Sequence, residues 1–244
     1  MTKPTGAVHD RYMAVWGADE RVDRETMKGH AEGLTRRLGS WTPKDRNARC
    51  LDLACGTGAL LYTLELQGFR NLVGVDLRAH ALEAGRRLVQ AEFVEADVIT
   101  YLREAKTGSF DFISAFNLLE HLPKDALPSF LEDLRRVLAP GGSFIAMVPN
   151  ALSPFGASTR YWDITHVNAF TPASVVQLAQ ISGWPDGSAE FREVGPLPYG
   201  LKSSIRWAAW QGLRGAIAAW FLIEKGSTRG STVYSMDMTF RLSR

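Results

Sequence analysis

CLDLACGTGALL, residues 50–61, is the stretch that decides the fold. An apolar run ends at Leu53-Ala54, a turn uses Gly56 and Gly58, and a helical pattern starts at once. Glycines in such a turn permit positive φ and let a ligand approach the backbone closely. Outward from this turn the chain alternates short apolar runs with amphipathic segments, the rhythm of a doubly wound α/β sheet. Strands are predicted at Cys50–Ala54, Leu72–Asp76, Ala91–Glu95, Phe110–Ala115 and Ser143–Val148, with helices near 58–67, 79–89, 98–106 and 124–138. In the last of these helices Leu127, Leu131, Leu134 and Leu138 share one face. Pro140-Gly141-Gly142 reads as the turn that ends it.

The flanks are less regular. Residues 1–47 read as a polar, mostly helical cap anchored by Tyr12, Val15, Trp16, Leu34, Leu38 and Trp41. Beyond Val148 a loop rich in Pro, Ser, Gly and aromatics, residues 151–171, leads into a helix from Pro172 to about Ser182, with Thr171 as N-cap. Two further strands are predicted at Phe191–Val194 and Thr232–Leu242, separated by a helical insertion over 198–228. The expectation is one domain over 1–244: a seven-stranded, mostly parallel sheet with an N-terminal helical cap and a helical insertion before the last strand.

Composition narrows the function. With 244 residues and 45% apolar content the chain can bury a full core. A formal charge of +2 argues against a general nucleic-acid binder. No apolar run is long enough to span a bilayer, and the first thirty residues lack a signal-peptide core. Cys50 and Cys55, five apart across a strand, lie roughly 16 Å from each other and beyond disulfide reach. A cytoplasmic, reduced protein is expected.

The carboxylates name the ligand class. A dinucleotide fingerprint would need a glycine at Leu61, so the loop suits a ligand without phosphates. Asp76, twenty residues after Gly56, ends the second strand, where a carboxylate can accept from a ribose diol. Asp97 follows the third strand, within reach of an adenine amino group. Asp52 lies in the loop strand, near a bound ammonium directly or through water. Taken singly, each is also an ordinary surface or capping acid; the spacing relative to the glycine loop is what joins them.

LDLACGTG and the residues around it, from 48 to about 150, resemble the class I S-adenosylmethionine-dependent methyltransferases, whose sheet is Rossmann-like. The resemblance implies S-adenosyl-L-methionine as cofactor, with Ala54, Gly56 and Gly58 against its methionine part. The family prefers glycine where this chain has Ala54. The resemblance further implies ribose binding by Asp76, adenine packing on Leu77, adenine-edge contacts from Asp97 and Val98, and Asn117 beside the methyl-donor site. HDRYMAVWG resembles the N-terminal cap of related enzymes, with Tyr12 or Trp16 closing over the cofactor. Ordinary packing of an amphipathic helix accounts for that pair equally well.

For the acceptor, methyl transfer chiefly needs alignment and, for a hydroxyl, removal of a proton. His9 reads as a surface residue. His121, in NLLEHLP after the fourth strand, is a structural or a catalytic candidate. His166, in RYWDITHVNAFTP, is the candidate general base, oriented by Asp163; its rival role is tying down the loop. Asp163 and His166 alone make no metal site, and no obligatory metal is expected. The Asn/Asp-Pro-Pro-aromatic block of base amino-methyltransferases is absent after the fourth strand, which reads AFNLLEHL. The stretch from PNALSPFG to ISGW resembles methyltransferases of bacterial polysaccharides, glycoconjugates and natural products, implying a saccharide hydroxyl, with an oxygen or nitrogen of a small-molecule natural product as the alternative. Phe155, Tyr161, Trp162 and Phe170 suit stacking on sugar rings or anchoring of the loop. Residues 199–244 carry a net +5, and KSSIRWAAWQGLRGAIAAWFLIEK reads as a helix with Trp210, Leu213, Ile217 and Phe221 on one face and Arg206 and Arg214 on its flank. Its readings are a lid, a homodimer helix, or a peripheral contact with the inner membrane face or a lipid-linked substrate, the last leaving open a non-catalytic nucleoside-binding protein that docks on a membrane.

Overall fold

The computed structural model describes residues 23–228 and 233–244. Its seven strands are β1 Arg49–Leu53, β2 Asn71–Asp76, β3 Glu92–Glu95, β4 Phe110–Phe116, β5 Leu138–Pro149, β6 Ala189–Glu193 and β7 Asp237–Ser243. They form one sheet in the order β3-β2-β1-β4-β5-β7-β6. β1 to β5 run parallel, and β7 is antiparallel to both β5 and β6. The central strands are apolar on both faces because both faces are covered. Leu51, Leu53, Ile113, Ala115, Phe144 and Ala146 point to one core; Cys50, Phe112 and Ile145 point to the other.

The first core includes residues of helices α4 (Val98–Glu104), α5 (Leu127–Val137) and α7 (Pro172–Ile181). The second includes residues of α1 (Arg24–Leu38), α2 (Ala59–Leu66) and α3 (Ala79–Arg86). In α5, Leu127, Leu131 and Leu134 of the expected stripe are buried with Phe130 and Val137, whereas Leu138 falls outside the helix and opens β5. α7 begins as expected at the Thr171 cap, which forms a capping box with Ser174. Both cysteines are free and buried.

Four expectations are corrected. Pro140-Gly141-Gly142 lies inside β5, not between elements. The pairing of β4 jumps from Phe110–Leu138 to Phe112–Ser143, so the intervening residues bulge out, with Gly141 at φ +77°. The last strand starts at Asp237 instead of Thr232, which lies outside the described residues. β5 ends at Pro149, and the carbonyls of Val233 and Ser235 are instead taken by the Asn150 side chain at 3.0 and 2.8 Å. The loop expected over 151–171 contains a short helix, α6 (Gly156–Trp162). The insertion is the 25-residue helix α8 (Leu201–Lys225); of its expected apolar face Ile217 is buried, Trp210 donates to Glu193 and Phe221 stacks on Tyr234, but one position departs. Leu213 is exposed, whereas Arg214 turns inward to pair with Glu193 at 3.1 Å.

Asn150 is fully buried and also accepts from the Leu152 N–H at 3.0 Å, pinning the end of β5 to the segment entering β7. Asn150→Ala strands two carbonyls and one amide, each a desolvated group worth about 1–3 kcal/mol. The expected loss is about 3 kcal/mol of unfolding free energy, read by urea denaturation.

Candidate cofactor and acceptor site

The strand order reverses between β1 and β4, and the crevice at such a switch point is where doubly wound sheets bind ligands. Among the described residues, the non-glycine residues with positive φ are Ala54 at +56° and Asn117 at +54°, one just after each of these two strands. Backbone held in this region is a small strain that gathers at functional sites. It also explains why glycine is preferred at the Ala54 position. Gly56 and Gly58 continue the turn at φ +54° and +82°. A Cβ on Gly56 would come within 2.9 Å of the Arg78 guanidinium, so a side chain there would crowd the loop.

Asp76, at the end of β2, is 5% exposed and ties this loop together. One carboxylate oxygen accepts from the Gly56 N–H at 2.8 Å. The other accepts from the Arg78 backbone N–H at 2.9 Å and from its Nε at 3.2 Å. The next residue, Leu77, is 55% exposed, an apolar surface at the site's edge. Asp97 follows β3 and caps α4, one oxygen accepting from the Thr100 N–H and hydroxyl, both at 3.0 Å; Val98 is buried behind it. Asp52 is buried within β1 and accepts from the Ser114 hydroxyl at 2.7 Å. Burial pushes its carboxyl up to about 7, against the Ser114 hydrogen bond and with help from the Asp76 charge. Glycine loop, strand-end carboxylates and exposed Leu77 together fit a nucleoside bearing an amino-acid tail. Tyr12 and Trp16, expected to cover it, and His9 lie outside the described residues.

The acceptor side forms where residues 163–170 fold onto the segment after β4. The Glu120 carbonyl accepts from the N–H groups of Val167 and Asn168 at 2.8 and 3.1 Å. The Asn168 amide donates to the carbonyls of Leu119 and Leu122 at 3.2 and 2.6 Å. This stitching brings the rings of His121 and His166 edge to face, 4.8 Å apart. Asp163 was expected to orient His166. Instead its carboxylate accepts from the Thr165 hydroxyl at 2.6 Å, and that oxygen meets His121 Nδ1 at 2.9 Å. His166 Nδ1 donates to the Thr159 carbonyl at 3.0 Å.

Two residues here escaped the sequence reading. Glu120 is 1% exposed, and burial, with smaller contributions from the charges of Asp237 and Asp163, pushes its carboxyl up to about 8. Asp237 at the start of β7 is raised by burial and held down by His166 and Arg37. Arg37 also lines a cavity of about 270 Å³ with Arg36, Arg206 and Tyr199. Trp162, 88% exposed, Tyr161 and Phe155 project from α6 and its approach. Phe170, in contrast, is buried and anchors the loop.

A 3-2-1-4-5-7-6 sheet with this glycine loop defines the class I methyltransferase fold. Residues 24–194 match the methyltransferase-domain family, and the chain belongs to it. A crystal structure of an S-adenosylmethionine-dependent methyltransferase from Archaeoglobus fulgidus superposes with a TM-score of 0.65 at 17% identity, covering 90% of this chain and 97% of that one. The chain is 30% identical over 129 residues to a demethylmenaquinone methyltransferase of Symbiobacterium thermophilum, covering 50% of each. It is 33% identical over 102 residues to a ubiquinone biosynthesis O-methyltransferase of Paracidovorax citrulli, 38% of this chain and 40% of that one. The chain thus spans half or less of the length of these curated relatives. Its sheet is one shared with S-adenosylmethionine-dependent methyltransferases of known structure.

Proposed function

We propose that the chain transfers a methyl group to a hydroxyl of a ring-bearing small molecule, a sugar or glycoconjugate first. The juxtaposition of His121 and His166 beside the end of β4 is the observation that carries this reading. The cofactor supplies an electrophilic methyl group when bound; Asp76, Asp97, Leu77 and the glycine loop hold it. His166, its Nδ1 proton held by the Thr159 carbonyl, carries its lone pair on Nε2, the form that accepts a proton. His121 takes the same form if its Nδ1 donates to Thr165, whose hydroxyl is already committed to Asp163. Exposed Tyr161 and Trp162 offer stacking faces for a sugar or aromatic ring.

A second reading has a specific support. The ubiquinone-pathway relatives, by their names, methylate oxygen, and α8 exposes Leu201, Ile205, Trp207, Trp220, Leu222 and Ile223. A phenol on an apolar tail, met at a membrane surface, would suit both. No helix among the described residues is long and apolar enough to cross a membrane, so such contact would be peripheral. Radiolabelled methyl transfer onto a panel of sugars, glycolipids and prenylated phenols separates the two. On the accepted substrate, His166→Ala should lower turnover by about 10²-fold or more and leave cofactor affinity unchanged. Full activity in that variant removes His166 from the chemistry.

A further inference from the structure

We infer that Glu120, His121 and His166 form a binding site for one first-row divalent cation, of the Mn, Fe, Co, Ni or Zn kind. One oxygen or nitrogen of each residue lies within 4.8 Å of the others. Ligands on a shared ion, each about 2.0–2.2 Å from it, lie up to roughly 4.4 Å apart, so small side-chain rotations close the set. Two imidazoles with one carboxylate select these borderline metals over Mg or Ca.

Three further features are those of a built site. Glu120 is 99% buried by its 1% exposure, and its Oε2 has no hydrogen-bond partner. A carboxylate oxygen left this way costs free energy unless a cation or donor arrives. Each imidazole is oriented through Nδ1, His166 by the Thr159 carbonyl and His121 by the Thr165–Asp163 relay. Outer partners of this type fix the tautomer of metal-ligating histidines and put the lone pair on Nε2. The backbone on both sides is locked as well, since the Glu120 carbonyl holds the 167–168 amides.

The inference departs from the metal-free expectation of the sequence. It also rests on the methyltransferase reading for what the ion would do: with the His166 lone pair on the ion, the ion would hold the acceptor oxygen and lower its pKa, replacing direct proton transfer to His166. The motif hides the set, because Glu120 and His121 are adjacent in NLLEHLP while His166 arrives 45 residues later.

The test is calorimetric titration of chelator-treated protein with MnCl₂, ZnCl₂ and MgCl₂, with the visible spectrum after CoCl₂ addition as a second readout. One Mn or Zn per chain is expected, no comparable Mg binding, and a Co spectrum showing nitrogen ligation. Glu120→Gln and His166→Gln should each weaken the ion at least about tenfold, and Thr165→Val by about that factor through the relay. S-adenosylhomocysteine affinity should stay unchanged in all three. A wild-type chain that takes up no stoichiometric ion and shows no such Co spectrum overturns the site. So does ion affinity indifferent to both Glu120→Gln and His166→Gln. If the variants fail to fold, the wild-type stoichiometry and spectrum decide. Ion binding without S-adenosylhomocysteine binding would sink the methyltransferase reading and leave the cation site standing.

Discussion

Asp76→Ala is expected to weaken S-adenosylmethionine binding by about 10²-fold or more, to the point of being undetectable in ordinary calorimetry. Each hydrogen bond to a charged acceptor contributes about 1.5–3 kcal/mol, and a ribose diol donates two. The same substitution also releases the Gly56 amide and Arg78, the groups that Asp76 holds. Asp76→Asn separates these contributions. Its amide oxygen still serves the Gly56 N–H, so the turn persists, while the charge and the second acceptor are gone. It should bind better than the alanine variant and well short of the native chain. Arg78→Ala removes one guanidinium contact but leaves both carboxylate oxygens and the Gly56 hydrogen bond in place, and should change affinity far less. Native affinity in Asp76→Ala would refute the ribose assignment, and with it the alignment of Asp97 and Leu77.

What the sequence discloses here is whatever is local. The glycine turn, the acid at the end of each of three early strands and the Thr171 cap are each specified within a few residues, so periodicity and turn chemistry expose them. The β5 bulge is not local: Pro140-Gly141-Gly142 reads as a stop until β4 and the C-terminal residues Ser243 and Arg244 are beside it. Arg214 in α8 is similar, since it faces inward only because Glu193 on β6 awaits it. Glu120 is the plainest case. In LLEHL it looks like any acid after a strand, and its burial arises only when residues 163–170 close over it. The Asp163–Thr165–His121 relay is hidden for the same reason: its members are 44 residues apart or separated by a single residue, neither of which forms a recognisable spacing.

Asp52 yields the prediction with the clearest pH signature. Its carboxyl, ordinarily near 3.8, is pushed up to about 7 by burial, so the folded chain keeps a proton that the unfolded chain has lost. Below about pH 4 both states are protonated and nothing is lost. Between pH 4 and 7 the unfolded state ionises first, so stability falls as pH rises; above 7 both are ionised and the loss, on the order of 4 kcal/mol, is complete. Glu120, raised to about 8, acts in the same direction over a window reaching one unit higher. Asp52→Asn removes the first contribution. The cofactor-free variant should melt higher than the native chain at pH 8, and the two should converge near pH 4. Cofactor binding should move the opposite way. An ammonium near Asp52 favours the ionised carboxylate, so native affinity should rise as pH climbs through 7, with one proton released on binding below that pH. In Asp52→Asn that dependence should flatten and affinity at pH 8 should drop about tenfold or more, the loss of one charge-assisted contact. Calorimetry in two buffers of different ionisation enthalpy counts the proton directly. A pH-independent native affinity, or an asparagine variant that binds as tightly at pH 8, would detach Asp52 from the cofactor and leave it a buried partner of Ser114.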